Sequence, residues 1–371
     1  MTVARVVTMR PPRSGLSRKT VSSYPLRCDA RRFLKQGKHA NDMSTTKEQH
    51  WVGFDLGGSK MLTAVFDSSF GIVSRERKRT KGREGQESVI SRMIDTIQAA
   101  LESADVSVQQ LGGIGIGVPG PVDQDRGVVL EAVNLSWQQV PLSEILKREF
   151  GCPVLVTNDV DAGVYGEYRF GAARNARTAV GVFPGTGIGG GCVYNDDIVR
   201  GNNNSCMEIG HMQVTQNGHL CGCGLRGCLE TEASRLAIAA EVATAAFRGQ
   251  APNLLSAAGT DLANIRSGAL ARAIAAGDTV VEAIVCNAAR RLGVAIATIV
   301  HLLSPDSIVL GGGLAEAMPD LYIQNVTESI NSAVMPSFVD SFQVVIAELG
   351  NDATIMGAAA WAKKYILALE K

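Results

Sequence analysis

The sequence predicts an α/β fold in which two similar mixed domains face one cleft. Two observations carry that expectation. Strand hairpins followed by strand–helix units occur twice along the chain, and each hairpin turns on a glycine-rich tip. Length permits it, since 371 residues suffice for two domains of ordinary size.

Residues 1–50 stand apart from the rest. They hold eleven Lys and Arg against three Asp and Glu, net +8, contain Pro11-Pro12, and follow neither helical nor strand periodicity. A disordered basic leader, or an incorrectly assigned start with the native one at Met43, explains them; an Arg-rich transit peptide is the alternative. A secretory signal is excluded because there is no apolar central stretch. The formal charge of the whole chain is zero, so residues 51–371 carry −8, which disfavours a body that binds nucleic acid.

The first unit begins at Trp51. Trp51 to Asp55 reads as a strand, Asp55 to Lys60 as a glycine turn, Met61 to Asp67 as the returning strand, and Ile72 to Lys78 as a candidate third. Apolar residues at 89, 90, 93, 94, 97 and 101 form a helical stripe over Ser88–Leu101. Leu111 to Val118 is a glycine-rich buried strand, Val128 to Val133 another, and Pro141 to Phe150 a helix with Pro at its start. Pro153 to Thr157 is a strand that ends at Asn158-Asp159, and Val160 to Phe170 is the helix that follows.

The pattern then recurs. Thr178 to Phe183 is a strand, Pro184 to Gly191 a glycine turn, and Cys192 to Asn195 the return. Helices are expected near 232–247, 279–303 and 319–333, strands at Ser307–Leu310 and Gln343–Ala347, and a last helix from Ala353 to Leu369. The longest apolar run, Leu292 to Leu303, contains His301 and is too short to span a membrane.

Between Glu208 and Glu230 lies the densest chemistry. His211, Cys221, Cys223 and Cys228 are a complete tetrahedral set for a structural zinc, with no position left for a catalytic water. Glycines at 222, 224 and 227 let the chain turn tightly enough for three sulfurs to face one ion. The chain has eight cysteines, and those outside the cluster are scattered, which fits reduced thiols in the cytoplasm rather than a disulfide framework.

Two glycine-tipped hairpins, at 55–60 and 185–191, suit phosphate, because clustered backbone N–H groups bind anions and side chains would obstruct them. Neither fits the Walker pattern or the dinucleotide fingerprint. Asp55 is placed to hold a magnesium ion, usually through water. Asn158-Asp159 stands where a strand meets a helix, the ligand-facing position of an α/β domain, although an Asp there can equally be a helix cap. A kinase needs one carboxylate to take the proton of the attacking hydroxyl, and Asp159 suits that better than Asp161.

These residues, taken together, resemble a known family. Asp55-Leu-Gly-Gly-Ser-Lys60, Gly117-Val-Pro-Gly120, Asn158-Asp159, Gly185-Thr-Gly-Ile-Gly-Gly-Gly191, Glu208-Ile-Gly-His211 and Cys221-Gly-Cys-Gly-Leu-Arg-Gly-Cys-Leu-Glu230 are similar, in content and order, to the ROK family (repressors, open reading frames, sugar kinases). The likeness runs from Trp51 to the C-terminus. It implies a two-lobed actin-like ATPase fold (ribonuclease H-like), with a cleft between lobes and a structural zinc site. The lobes would be 51–172, joined by the C-terminal helix 353–371, and 173–352.

The resemblance also implies roles. Asp159 would be the catalytic base; Asn158, Glu208, His211 and Glu230 would contact the sugar, joined by Asn134 of the segment Asn134-Leu-Ser-Trp137. His211 would serve zinc with one ring nitrogen and sugar with the other. Asp55, Gly57, Gly58, Ser59 and Lys60, with Gly185, Thr186, Gly187 and Gly189 and with Gly311, Gly312 and Gly313, would bind the nucleotide. Its partners would be a hexose and ATP with Mg2+, in a homodimer or homotetramer, without membrane or specific nucleic acid.

Two departures stand out. Ser59 replaces the usual Thr but keeps the hydroxyl, and Gly201 to Met207 (Gly-Asn-Asn-Asn-Ser-Cys-Met) replaces a Gly/Ala-rich approach to Glu208, which bears on the identity of the sugar. Glucose is the first expectation, with N-acetylglucosamine, N-acetylmannosamine or fructose as alternative sugars and polyphosphate as alternative donor. A sugar-sensing repressor is the reading of another class; residues 1–50 lack the paired amphipathic helices of a helix-turn-helix.

Overall fold

Two five-stranded sheets of the same topology organise the computed structural model, which describes residues 49–369. The expectations for residues 1–48 lie outside the described residues. Sheet 1 is built from β1 (His50–Leu56), β2 (Lys60–Phe66), β3 (Ile72–Arg79), β4 (Leu111–Val118) and β8 (Val154–Asn158), in the order β3-β2-β1-β4-β8. Strands β1 to β3 are an antiparallel meander, and β4 and β8 add in parallel beside β1. Sheet 2 repeats this with β9 (Thr178–Pro184), β10 (Ile188–Tyr194), β11 (Asp197–Ile198), β12 (Ser307–Leu310) and β13 (Gln343–Ile346), ordered β11-β10-β9-β12-β13. The repeat read from the sequence is thus a repeat of topology.

The connections carry the helices. In the first half these are α1 (Gln86–Ala104), α2 (Leu142–Phe150) and α3 (Asp159–Phe170), with a small sheet of β5 (Val122–Asp123), β6 (Val128–Ala132) and β7 (Trp137–Val140). In the second they are α4 (Glu230–Ala233), α5 (Arg235–Phe247), α6 (Pro252–Ala258), α7 (Ser267–Ala275), α8 (Thr279–Leu303), α9 (Gly312–Ala317) and α10 (Pro319–Ala333). Finally α11 (Ala353–Leu369) returns to sheet 1.

Each sheet pattern has a physical cause. On β4 the sequence Leu-Gly-Gly-Ile-Gly-Ile-Gly-Val alternates, so Ile114, Ile116 and Val118 join one core with the α1 stripe of Val89, Met93, Ile97 and Leu101. Burying each such side chain contributes about 1.5–3 kcal/mol. The glycines face the other way, where α11 lies against the backbone. A Cβ at Gly53 or Gly115 would overlap the carbonyls of Ile355 and Ala358, so only glycine admits the helix this close. Gly357 of α11 in turn lets it touch the backbone of α3 at Ala162 and Gly166.

Helix α3 also meets sheet 2: Val160 and Val164 press on the glycines of β10 and β9. It therefore lies between the sheets. Helix α8 is long and apolar enough by length and composition to cross a membrane, which the sequence reading missed by taking only residues 292–303. Its buried face, Val281 to Val300, packs into the core of the second half with α5, α7 and α10.

Several boundaries differ from those expected. The first strand starts at His50, one residue inside the segment taken as leader. Gly189, Gly190 and Gly191 are not part of a turn but of β10, because β9 pairs with them residue by residue from Phe183 to Gly181. Gly312 and Gly313 open α9. Strands β5 and β7 and helices α6 and α7 have no clear periodicity in so few residues and were missed.

Candidate active site

Three adjacent parallel strands end together at one edge of sheet 1. Asp55 of β1 stands opposite Gly117 of β4, and Val118 opposite Asn158 of β8. Carboxyl ends of neighbouring strands make the ligand crevice of an open α/β sheet. The chain turns there directly into α3, and the cap is Asn158 rather than Asp159. The Asn158 side-chain oxygen accepts N–H bonds from Val160 (2.8 Å) and Asp161 (3.1 Å), and its amide donates to the Gly120 carbonyl at 3.1 Å. This division of labour releases Asp159, whose side chain accepts, among the described residues, one N–H bond, from the adjacent Val160 at 2.9 Å.

Charge is concentrated at this edge. Asp159 is partly exposed at this edge but walled in by protein on most sides, and burial pushes its carboxyl up; it does not line the neighbouring pocket, whereas Asn158, Val160 and Asp161 do. Asp55 is raised to about 7, by burial first and by the charge of Asp159 second, with Lys60 opposing. Asp161 is also raised to about 7, by burial, then by Asp159 and Glu208, against Arg200. Burial and like charge both favour the protonated form of a carboxylate. A divalent cation held by Asp55 would relieve that repulsion, so Asp55 fits Mg2+.

Asp161 supplies a pH test. Its pKa in the folded protein lies above the ordinary 3.8, so the native state holds its proton longer than the unfolded chain. Stability from this group is complete below 3.8 and is lost as pH climbs to about 7. Asp161→Asn is expected to gain about 1–2 kcal/mol over wild type between pH 5 and pH 8, discounted for partial exposure. Urea unfolding of both proteins at the two pH values measures it; an equal difference at each sinks it.

A pocket opens beside this edge, lined by Gly120, Asn158, Asp161, Asn204, Cys206 and Glu208 among others. The segment that departs from the family, 201–207, therefore does border the pocket. Glu208 accepts a hydrogen bond from the Ser205 hydroxyl and leads into a 3-10 turn, Ile209–His211. That turn is pressed onto β10, since a Cβ at Gly210 would overlap the Ile188 carbonyl.

The turn delivers His211 to the cysteines. The ligand atoms of His211, Cys221, Cys223 and Cys228 all lie within 4.8 Å of one another. His211 Nδ1 is 3.6 Å from Cys221 Sγ, and the sulfurs of Cys223 and Cys228 are 3.7 Å apart. A tetrahedron with metal–sulfur arms of about 2.3 Å has edges of about 3.8 Å, so the donor set fits zinc. Gly224 (φ 87°) and Gly227 (φ 76°) adopt the left-handed backbone that the knuckle requires; Gly222 does not, and its role in the turn is not upheld.

Glu230 joins this cluster to the hairpin of sheet 2. Its Oε2 accepts the Ile188 N–H at 3.1 Å, and its Oε1 lies 3.7 Å from Cys221 Sγ. A Cβ at Gly187 would overlap the same carboxylate. Gly187→Ala is therefore expected to push the hairpin tip out of place and raise the nucleotide KM about tenfold, as overpacking of about 1–3 kcal/mol implies. Steady-state kinetics at saturating sugar would show it; an unchanged nucleotide KM would count against any role for this tip.

Sequence reasoning missed Arg235, which braces the tip from α5. Its N–H donates to the Gly185 carbonyl at 2.8 Å and its guanidinium to the Thr186 hydroxyl at 2.9 Å. An Arg at a helix start carries no periodic signal by itself. Gly311 and Gly312 sit against Phe183 and Pro184 at the adjacent strand end, so they and Gly185–Thr186–Gly187 form one cluster. Across the molecule, the Gly57–Gly58–Ser59 tip is tied to Thr80, and Lys60 donates to Asn351 at 3.0 Å. Asn134 does not line the pocket of Asn158 and Glu208. It lies on an exposed 3-10 turn beside Gly58.

Residues 51–365 match the ROK family. A glucokinase of Halalkalibacterium halodurans is 32% identical over 325 residues, covering 87% of this chain and 98% of that protein. A crystal structure of a ROK family glucokinase from Streptomyces griseus, in complex with glucose and AMPPNP, aligns with a TM-score of 0.74 at 31% identity. It covers 85% of this chain and 99% of that one. A xylose repressor of Caldicellulosiruptor bescii is 26% identical over 309 residues, which cover 83% of this chain and 77% of that protein.

Proposed function

Since the chain belongs to the ROK family and is a sugar kinase of the two-lobed actin-like ATPase fold, we propose that it phosphorylates glucose at the 6-hydroxyl with ATP. One observation carries the mechanism. Asn158 caps α3 and so leaves the Asp159 carboxylate free at the ends of three parallel strands. There it takes the proton of the 6-hydroxyl as that oxygen attacks the γ-phosphorus. The raised pKa of Asp159 strengthens it as a base toward an alcohol.

The sugar is held by Glu208, Asn158 and His211, with Glu230 beside His211 on the cysteine loop; Asn134, at the β1–β2 tip, is the least supported of the set. Carboxylates pair with vicinal hydroxyls, and a buried polar site rejects sugars that leave its groups unpaired. His211 turns Nδ1 toward Cys221, which leaves Nε2 for a sugar hydroxyl. His211, Cys221, Cys223 and Cys228 hold zinc, whose contribution is to fix this loop. The loops Gly57 to Lys60, Gly185 to Gly187 with Gly189, and Gly311 to Gly313 cradle the phosphates through N–H groups other than those of Gly185 and Gly311, which donate to the Gly187 and Val182 carbonyls. Asp55 is the residue that would hold Mg2+, which neutralises phosphate charge when bound.

A coupled ADP-release assay over a panel of hexoses and amino sugars, with ATP and polyphosphate as donors, tests the reading. Glucose with ATP is expected to give the highest kcat/KM. A higher value with N-acetylglucosamine, N-acetylmannosamine or fructose would replace glucose, and turnover restricted to polyphosphate would replace ATP.

A further inference from the structure

The chain passes between the two sheets twice, at 171–177 and at 347–352, and one buried carboxylate touches both passages. Glu167, in the last turn of α3, is 0% exposed. Its Oε2 accepts N–H bonds from Ala172 at 2.9 Å and Glu348 at 3.1 Å, and its Oε1 accepts one from Leu349 at 2.8 Å. Its backbone carbonyl accepts two more, from Gly171 and Ala173. A Cβ at Gly171 would overlap Oε2, so the first passage can wrap this tightly only through glycine.

A carboxylate removed from water persists only where donors fill its lone pairs. Here the donors come from two segments far apart in sequence, Glu348 being 181 residues from Glu167. All three are backbone groups, so the bonds fix where the passages run without depending on neighbouring side chains. Immediately beyond, Gly350 sits at φ 52° with open space around its Cβ position, a place where backbone angles can change cheaply.

Asp159 stands on the same helix eight residues earlier, about 12 Å along a rigid bar. Whatever fixes the far end of α3 to both passages therefore sets where Asp159 arrives when the sheets approach. We propose that Glu167 is a positioning residue for phosphoryl transfer: it is the pin on which the two lobes turn, keeping α3 in one register with both crossings. This rests on Asp159 being the base. The pin itself stays bonded in open and closed states, while the residues flanking it, 174–177 and 350–352, absorb the motion.

Hydrogen exchange on the wild-type protein tests the pin directly, with sugar plus a non-hydrolysable ATP analogue present or absent. The amides of Ala172, Glu348 and Leu349 are expected to keep the same protection in both states, while those flanking them change. Loss of protection at the three on adding ligands would overturn the proposal. Glu167→Gln keeps the volume but offers an NH2 where an acceptor is needed. It is expected to lower kcat about tenfold or more while sugar KM stays within about threefold, because misplacing a reacting group costs rate more than affinity. A folded variant with a lower Tm and full kcat would make Glu167 merely structural and overturn the proposal; if the variant does not fold, the exchange data decide. The same exchange pattern is expected in Asp159→Asn, so an error about the base would show as activity in that variant and leave the pin standing.

Discussion

Asp159→Asn is expected to lower kcat by about 10²–10⁴ while the protein stays folded and still binds sugar. The substitution keeps the shape of the side chain and removes the group that accepts the hydroxyl proton. The helix should not suffer, because its cap is Asn158, which bonds the Val160 and Asp161 N–H groups of the first turn. Burying a neutral amide is also easier than burying a carboxylate, so the variant should be no less stable than wild type above the acid range. Binding is read by calorimetry with sugar, rate by ADP release. Near wild-type turnover in the folded variant would remove Asp159 from its role. Asp55 shares the charge of this edge, so its raised pKa should fall toward the ordinary carboxylate range in the same variant.

The second large effect concerns the metal. Protein purified without added zinc is expected to contain about one equivalent per chain, and Cys223→Ser is expected to lose most of it, since a structural site of this kind is worth on the order of 10 kcal/mol. Cys223 is the exposed member of the cluster, so its replacement perturbs the core least and isolates the loss of a ligand. Sugar KM should rise about 10- to 100-fold, the usual result of freeing a ligand shell. The reason is spatial: His211, Glu208 and Glu230 hang on the same short loops as the sulfurs. Normal sugar affinity in metal-free protein would separate the zinc from the substrate.

Much of this was legible because glycine and cysteine mark backbone geometry openly. The His/Cys cluster could be read from four residues in a window of 18, and the paired glycine hairpins gave away the repeated topology. What stayed hidden was decided by distant packing. No local pattern says that the β4 glycines make room for α11, that β10 takes over Gly189–Gly191, or that Asn134 lies at the β1–β2 tip rather than in the pocket. The exchange of roles between Asn158 and Asp159 is of the same kind: either residue can cap a helix, and only the surrounding loop, through Gly120, chose between them.

The docking of α11 on Gly53 and Gly115 has a consequence for how the chain is made. Sheet 1 is synthesised first, but the helix that covers its glycine face follows every strand and helix of the second half in the chain. Until α11 leaves the ribosome, the half translated first keeps a bare face, while the half translated second already has all its strands and helices. The usual order, in which the N-terminal domain folds first during synthesis, is thereby reversed. A released chain ending just short of residue 353 should show protease resistance from β9 to β13 while β1 to β8 stay cleavable, and a chaperone would find its substrate on the older half.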